Sequence, residues 1–207
     1  MKTIKVYVCA ILIALPFFAS AQELASVVET VKKANQVPEF IQVRNQLERF
    51  SMSQPQEWLP YYYMAYTDIQ LSFMLPSKDD KKRYLTDAQS CLAKLTNLSG
   101  ANQSEVHTLK GFRLYALIAS DPQTNGPLYY GELTACYDKA LALNANNPRA
   151  VILSALFKND MAKFMHQSYP DFQKEIEKAA TLFAAEDTAT VNPTWGKAWL
   201  DRAKAQK

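Results

Sequence analysis

The sequence predicts an all-helical fold assembled from repeated helix pairs. Three observations carry that expectation. Glycine is scarce, with five in 207 residues, and no Asn-Gly or Asp-Gly hairpin signal lies between alternating apolar runs. Apolar residues recur at the i, i+3, i+4, i+7 spacing of amphipathic helices. One helical unit also returns along the chain.

The first residues predict export. Lys2 and Lys5 precede an apolar run from Val6 to Phe18, and Ala19-Ser20-Ala21 supplies the small residues of a cleavage site. That is the pattern of a secretory signal peptide over 1–21, with cleavage after Ala21. The run is shorter than the roughly 20 residues of a spanning helix. A single helical-repeat domain is expected over 22–207, exported to the periplasm or secreted, with no membrane insertion after cleavage.

Leu24, Val27, Val28 and Val31 form the first stripe, and Phe40, Val43, Leu47 and Phe50, after Pro38, form the second. Proline is tolerated in a first helical turn. Trp58 opens a third helix through about Phe73, and Pro76-Ser77 ends it. A charged start, Asp79 to Arg83, leads a fourth helix to about Leu98; its acids suit the positive end of the helix dipole. After the turn Ser99–Asn102, Ser104 is placed to cap a helix to about Ser120. Asp121–Pro127 reads as a loop, followed by a helix from Leu128 to Leu143 and a turn over Asn144–Asn147. Pro148 starts a helix to about Lys158, with more helix over Asp160–Ser168. Pro170 restarts one that ends near Ala185. Glu186–Asn192 is a polar connection, and Pro193 begins a terminal helix bearing Trp195, Trp199 and Leu200.

The repeat lies in the second helices. Tyr137, Lys139, Ala140, Leu141 and Leu143, followed by Asn144–Asn147, resemble the second helix and exit turn of a tetratricopeptide repeat. The register of Cys91 and Lys94 returns 45 residues on at Cys136 and Lys139, and Lys178 follows after 39 more. The resemblance spans roughly Trp58 to Leu182. These units exceed the family period of about 34 residues, and Leu133 stands where the family has alanine, which marks a divergent member. The pattern is also similar to exported helical-repeat proteins common in Bacteroidota.

The resemblance implies a right-handed solenoid of antiparallel helix pairs with terminal capping helices. It also implies a concave face, lined by first helices, that holds a peptide or partner protein. With Ala65 and Gly111 at the family's small crossing position, the groove residues are Tyr62, Tyr66, Gln70, Thr108, Phe112 and Tyr115, with His107 and Arg113 nearby. Trp58, Tyr61, Tyr62, Tyr63 and Tyr66 cannot all face one way on a helix, so packing competes with a ligand-facing role for this run. Trp195 and Trp199, four apart, are expected on one face of a helix that seals the last repeat.

Function classes narrow by exclusion. Loss of 1–21 removes two of 23 basic residues and no acid, leaving a nearly neutral chain, unlike a dedicated nucleic-acid binder. There is no HExxH or CxxC metal motif, no GxSxG elbow and no glycine-rich phosphate loop. No catalytic residue, metal ligand or cofactor is assigned. Cys91 and Cys136 occupy equivalent positions on successive helices. Packed axes ~8–10 Å apart exceed the roughly 7 Å a disulfide spans, which favours free thiols, while export would permit a bridge. The expectation is a non-enzymatic interaction module. The alternative is a small-ligand or glycan-binding protein, since aromatics also stack on sugars and a closed pocket would favour it. An enzyme with a dispersed site ranks behind both.

Overall fold

The computed structural model describes residues 22–206; the expected signal peptide lies outside them. Among the described residues the chain is all-helical, without strands. The helices are α1 (22–33), α2 (Val37–Ser53), α3 (Trp58–Met74), α4 (Lys78–Leu95), α5 (Gln103–Ser120), α6 (Pro122–Leu143), α7 (Pro148–Phe164), α8 (Phe172–Ala184) and α9 (Lys197–Lys204). None of them is long and apolar enough to cross a membrane.

Packing follows the chain. α3 pairs with α4, α5 with α6 and α7 with α8. α3 also touches α5, and α5 touches α7, so these three helices form an inner layer. Close approach within a pair is set by small residues. A Cβ on Gly111 of α5 would stand 2.6 Å from the Tyr137 ring of α6, so the buried tyrosine fills the space that glycine leaves.

Helix starts obey local chemistry. The Asn102 side chain accepts from the Glu105 N–H and caps α5, while Ser104, expected as the cap, donates to the Ala140 carbonyl instead. The expected loop over 121–127 is the opening of α6. Asp121 accepts from the Thr124 N–H and Pro122 occupies the first turn, where its missing N–H costs nothing. Pro127 lies inside the helix, and Asn125 donates to the Leu117 carbonyl at 2.7 Å. α7 runs to Phe164, and the chain breaks at His166, which adopts a positive φ of 56°.

The C-terminal segment departs most from expectation. No helix begins at Pro193. Residues 185–196 form an irregular strap, and α9 starts only at Lys197. Gly196 makes the turn at φ 114°, in the left-handed region that favours glycine. α9 rests on α7 and α8, but Trp195 and Trp199 point back into the inner layer rather than sealing the last pair.

Candidate functional site

Buried polar groups fix the strap to the inner layer. Asn147 caps α7 and donates to Glu105 Oε1 at 2.9 Å, which places Arg149 beside it. Arg149 Nε donates to both Glu105 oxygens at 3.0 and 3.1 Å, Nη2 to Glu186 Oε1 at 2.7 Å and Nη1 to the Trp195 carbonyl at 3.2 Å. The two carboxylates hold the Arg149 guanidinium well above its usual range, against the opposing effect of burial. Tyr62 donates to Glu105 Oε2 at 2.7 Å and accepts from the Trp195 indole N–H at 2.9 Å. Burial and Glu105 push the Tyr62 phenol far up, so it acts as a neutral donor. Tyr63 donates to the carbonyls of Val191 and Asn192 at 3.1 Å. Lys32 of α1 donates to the carbonyls of Thr188 at 3.3 Å and Thr190 at 2.8 Å. The Arg149 charge is tolerated this deep only when paired and hydrogen-bonded, and its partners come from α5 and the strap.

The strap delivers an aromatic stack. Trp195 lies between Tyr66, 4.6 Å between ring centres, and Phe112, at 5.5 Å and 23°. Trp199 meets Phe112 edge-on at 5.1 Å and Phe73 at 5.4 Å. These offset and edge contacts are the geometries aromatic rings prefer.

Between the strap, α1, α2 and α3 lies a cleft of about 610 Å3. Phe40, Tyr66, Met74, Trp195 and Trp199 supply its apolar wall; Gln70 and Asn35 are polar, and Lys32, Lys197 and Arg202 are cationic. Half of the lining comes from the strap and α9. The volume falls in the roughly 300–1,000 Å3 range of small-molecule sites. Gln70 donates to the Tyr66 hydroxyl at 2.8 Å, and burial pushes that phenol up to about 12.

The open groove expected on α3 and α5 is corrected by burial. Tyr62, Thr108 and Phe112 are fully buried, and Tyr66 and Tyr115 are nearly so. The strap covers the inner layer, so α3 is enclosed on all sides from Leu59 to Ile69 and its consecutive tyrosines are packing residues. Thr108 donates to the Ser104 carbonyl, and Tyr115 donates to Asp160. Of the six residues, only Tyr66 and Gln70 reach the cleft. His107 and Arg113 lie beside α6: burial, then Lys110 and Lys139, lowers the His107 pKa, and burial lowers that of Arg113 against the attraction of Glu132. Sequence reasoning missed Lys32, Phe40, Met74, Lys197 and Arg202 as members of one site. The tryptophan pair was its visible signal.

A second hollow of about 400 Å3 lies between α2, α3 and α4. At its base Arg44 donates to the fully buried Asp68 at 2.6 Å, with Glu48 and Asp87 at 3.4 and 3.5 Å. Burial outweighs Arg44 and raises the Asp68 pKa to about 7. Cys91, beside this hollow, and Cys136 are both free thiols. Burial pushes Cys91 up to about 12.

No family model matches the chain, and no curated protein matches it. Among solved structures the chain is similar to the HusA haemophore from Porphyromonas gingivalis, an all-helical protein. The two share 24% identity with a TM-score of 0.77, over 90% of this chain and 94% of that one. At this identity the likeness establishes a shared fold.

Proposed function

We propose that this chain is a non-catalytic, exported binding protein whose cleft takes a flat tetrapyrrole, of which haem is the type. The carrying observation is the cleft itself: about 610 Å3, walled by Trp195, Trp199, Tyr66 and Phe40 and rimmed by cations. Trp199, only partly buried, can stack on a conjugated ring, while Trp195, packed between Tyr66 and Phe112, meets it at an edge. The likeness to a haemophore supports the same ligand class. The single domain over 22–207 and its helix pairs, a divergent tetratricopeptide-like stack, belong to this reading as scaffold. A small ligand replaces the peptide expected from sequence, because the strap already occupies the face a peptide would use.

The cleft's donor set fits haem held by its ring and edges. No histidine or cysteine lines it, and Met74 contributes the one thioether. The Tyr66 phenol, hydrogen-bonded to Gln70 and ionising only near 12, stays protonated at neutral pH. Bound haem would supply the ring that Trp199, Trp195 and Tyr66 contact. The chain's own task is to bury that ring and exclude water from it.

Spectrophotometric titration of residues 22–207 with haem tests the reading. The expected result is a saturable one-to-one shift of the haem absorption band with quenching of tryptophan fluorescence. Trp199→Ala weakens binding about tenfold or more, the scale of a lost aromatic anchor, while Leu128→Ser on the far surface leaves it unchanged. Non-saturable binding, or equal loss in both variants, would overturn it.

A further inference from the structure

We propose that Lys197 and Arg202 make the cleft selective for ring systems that carry two carboxylates on one edge. This rests on the ligand class proposed above and adds the chemistry that discriminates within it.

The cationic rim divides into committed and free charges. The Lys32 ammonium has three donors, and all are spent: on Glu29 at 2.7 Å and on the carbonyls of Thr188 and Thr190 at 3.3 and 2.8 Å. Lys32 therefore holds the strap. Glu29, the one carboxylate in the lining, is consumed by the same contact. Lys197 is exposed and makes no ion pair or side-chain hydrogen bond among the described residues. Arg202 lies 3.7 Å from Asp160 with both groups partly exposed, a loose contact that a better partner can replace. Its guanidinium also stands over the Trp199 ring, 5.2 Å from its centre, so the two side chains share one wall of the cleft.

Both free cations sit on α9, five residues apart. At ~1.5 Å rise per residue their backbones are about 7–8 Å apart along the helix axis. Apart from the Lys32–Glu29 pair, the remainder of the lining carries no charge, so unpaired positive charge gathers on the α9 side. A ring seated against Trp199 with two carboxylates turned toward α9 meets one cation with each. A ring bearing esters there meets two unmatched charges and gains nothing from them. A guanidinium and an ammonium also divide the work: Arg202 offers a planar fork for one carboxylate and Lys197 a mobile point charge for the other.

The test compares haem with haem dimethyl ester, titrated in the same mild detergent against the wild-type chain and Lys197→Gln/Arg202→Gln. Exposed ion pairs contribute ~0.2–1 kcal/mol each, which corresponds to a preference of roughly 2- to 30-fold for the diacid across two charges. The double variant is expected to bind both probes with the affinity the wild type shows for the ester, at unchanged thermal stability. That preference should also shrink as salt is raised. Equal wild-type affinity for diacid and ester would overturn the inference while leaving the ligand class standing. So would a double variant that keeps the full preference. Failure of the wild type to bind either probe would instead overturn the proposed function and this inference with it.

Discussion

Trp195 donates its indole N–H to the Tyr62 hydroxyl at 2.9 Å, across 133 residues of chain. This contact joins the strap to the middle of α3 and turns an exposed helical layer into a core. Tyr62 in turn donates to Glu105, and Glu105 to Arg149 is the ion pair on which the arrangement depends.

Arg149→Met should therefore be among the most damaging single changes. It leaves Glu105 buried without its cation and frees the Trp195 carbonyl. Breaking a buried pair from one side costs about 3–5 kcal/mol, a fall in Tm on the order of 10 °C for a domain of this size. Thermal unfolding gives the stability, and a red shift of tryptophan emission reports release of the strap. A loss under 1 kcal/mol would mean that the strap is held by its other contacts, the aromatic stack and the hydrogen bonds of Lys32, Tyr62 and Tyr63.

Glycine substitutions separate constrained from free positions. Gly196→Ala meets a φ of 114° and places a Cβ 2.9 Å from the Phe183 ring, costing about 1–3 kcal/mol. Gly111→Ala drives into the Tyr137 ring at a similar cost. Gly131, on α6, has nothing within 4 Å of an added Cβ, so Gly131→Ala should gain about 0.5–1 kcal/mol through helix propensity. Urea unfolding of the three variants checks the order.

Asp68 predicts an unusual pH dependence. Its carboxyl is raised to about 7 in the fold against ~3.9 for a free aspartate, so between those values the native state binds the extra proton. Stability then falls as pH rises from about 4 to 7, by at most ~1.4 kcal/mol per pH unit. Below that window the two states are equally protonated at this site and the slope vanishes. Asp68→Asn should flatten the slope in Tm measured from pH 5 to 8. A stability that climbs through the same window would show that the Arg44 attraction outweighs burial.

Cys91 and Cys136 are free, so a reductant should leave Tm unchanged. In the 22–207 chain, which lacks Cys9, a thiol reagent should titrate two groups in denaturant and react slowly with the native protein, since burial raises both thiols. Fewer than two thiols in denaturant would indicate a bridge.

Much of the helical framework was legible in the sequence. The stripe Phe40, Val43, Leu47, Phe50 faces the core as its spacing requires, and proline and polar turns marked most boundaries. Two features were not legible. The period of an amphipathic stripe says nothing about a helix covered on every side, and α3 buries Tyr61, Tyr62, Tyr63 and Tyr66 together. The strap was hidden for a different reason. Trp195 and Trp199 have helical spacing, but the Trp195 carbonyl goes to Arg149, 46 residues away, and a partner at that distance leaves no local signal. The cleft inherits that blindness, since half its wall is the strap and the α9 that the strap positions.

The most direct measurement is a two-dimensional NMR titration of the 22–207 chain with ferric haem, read at the three tryptophan indoles and the α9 amides. Paramagnetic iron broadens signals that lie close to it. The account predicts early loss of the Trp199 indole and the Lys197 and Ala198 amides, followed by Trp195, while Trp58, outside the cleft lining, persists. Persistence of Trp199 alongside broadening at the exposed Leu128 or Phe164 surface would place the ligand elsewhere and contradict the cleft as the binding site.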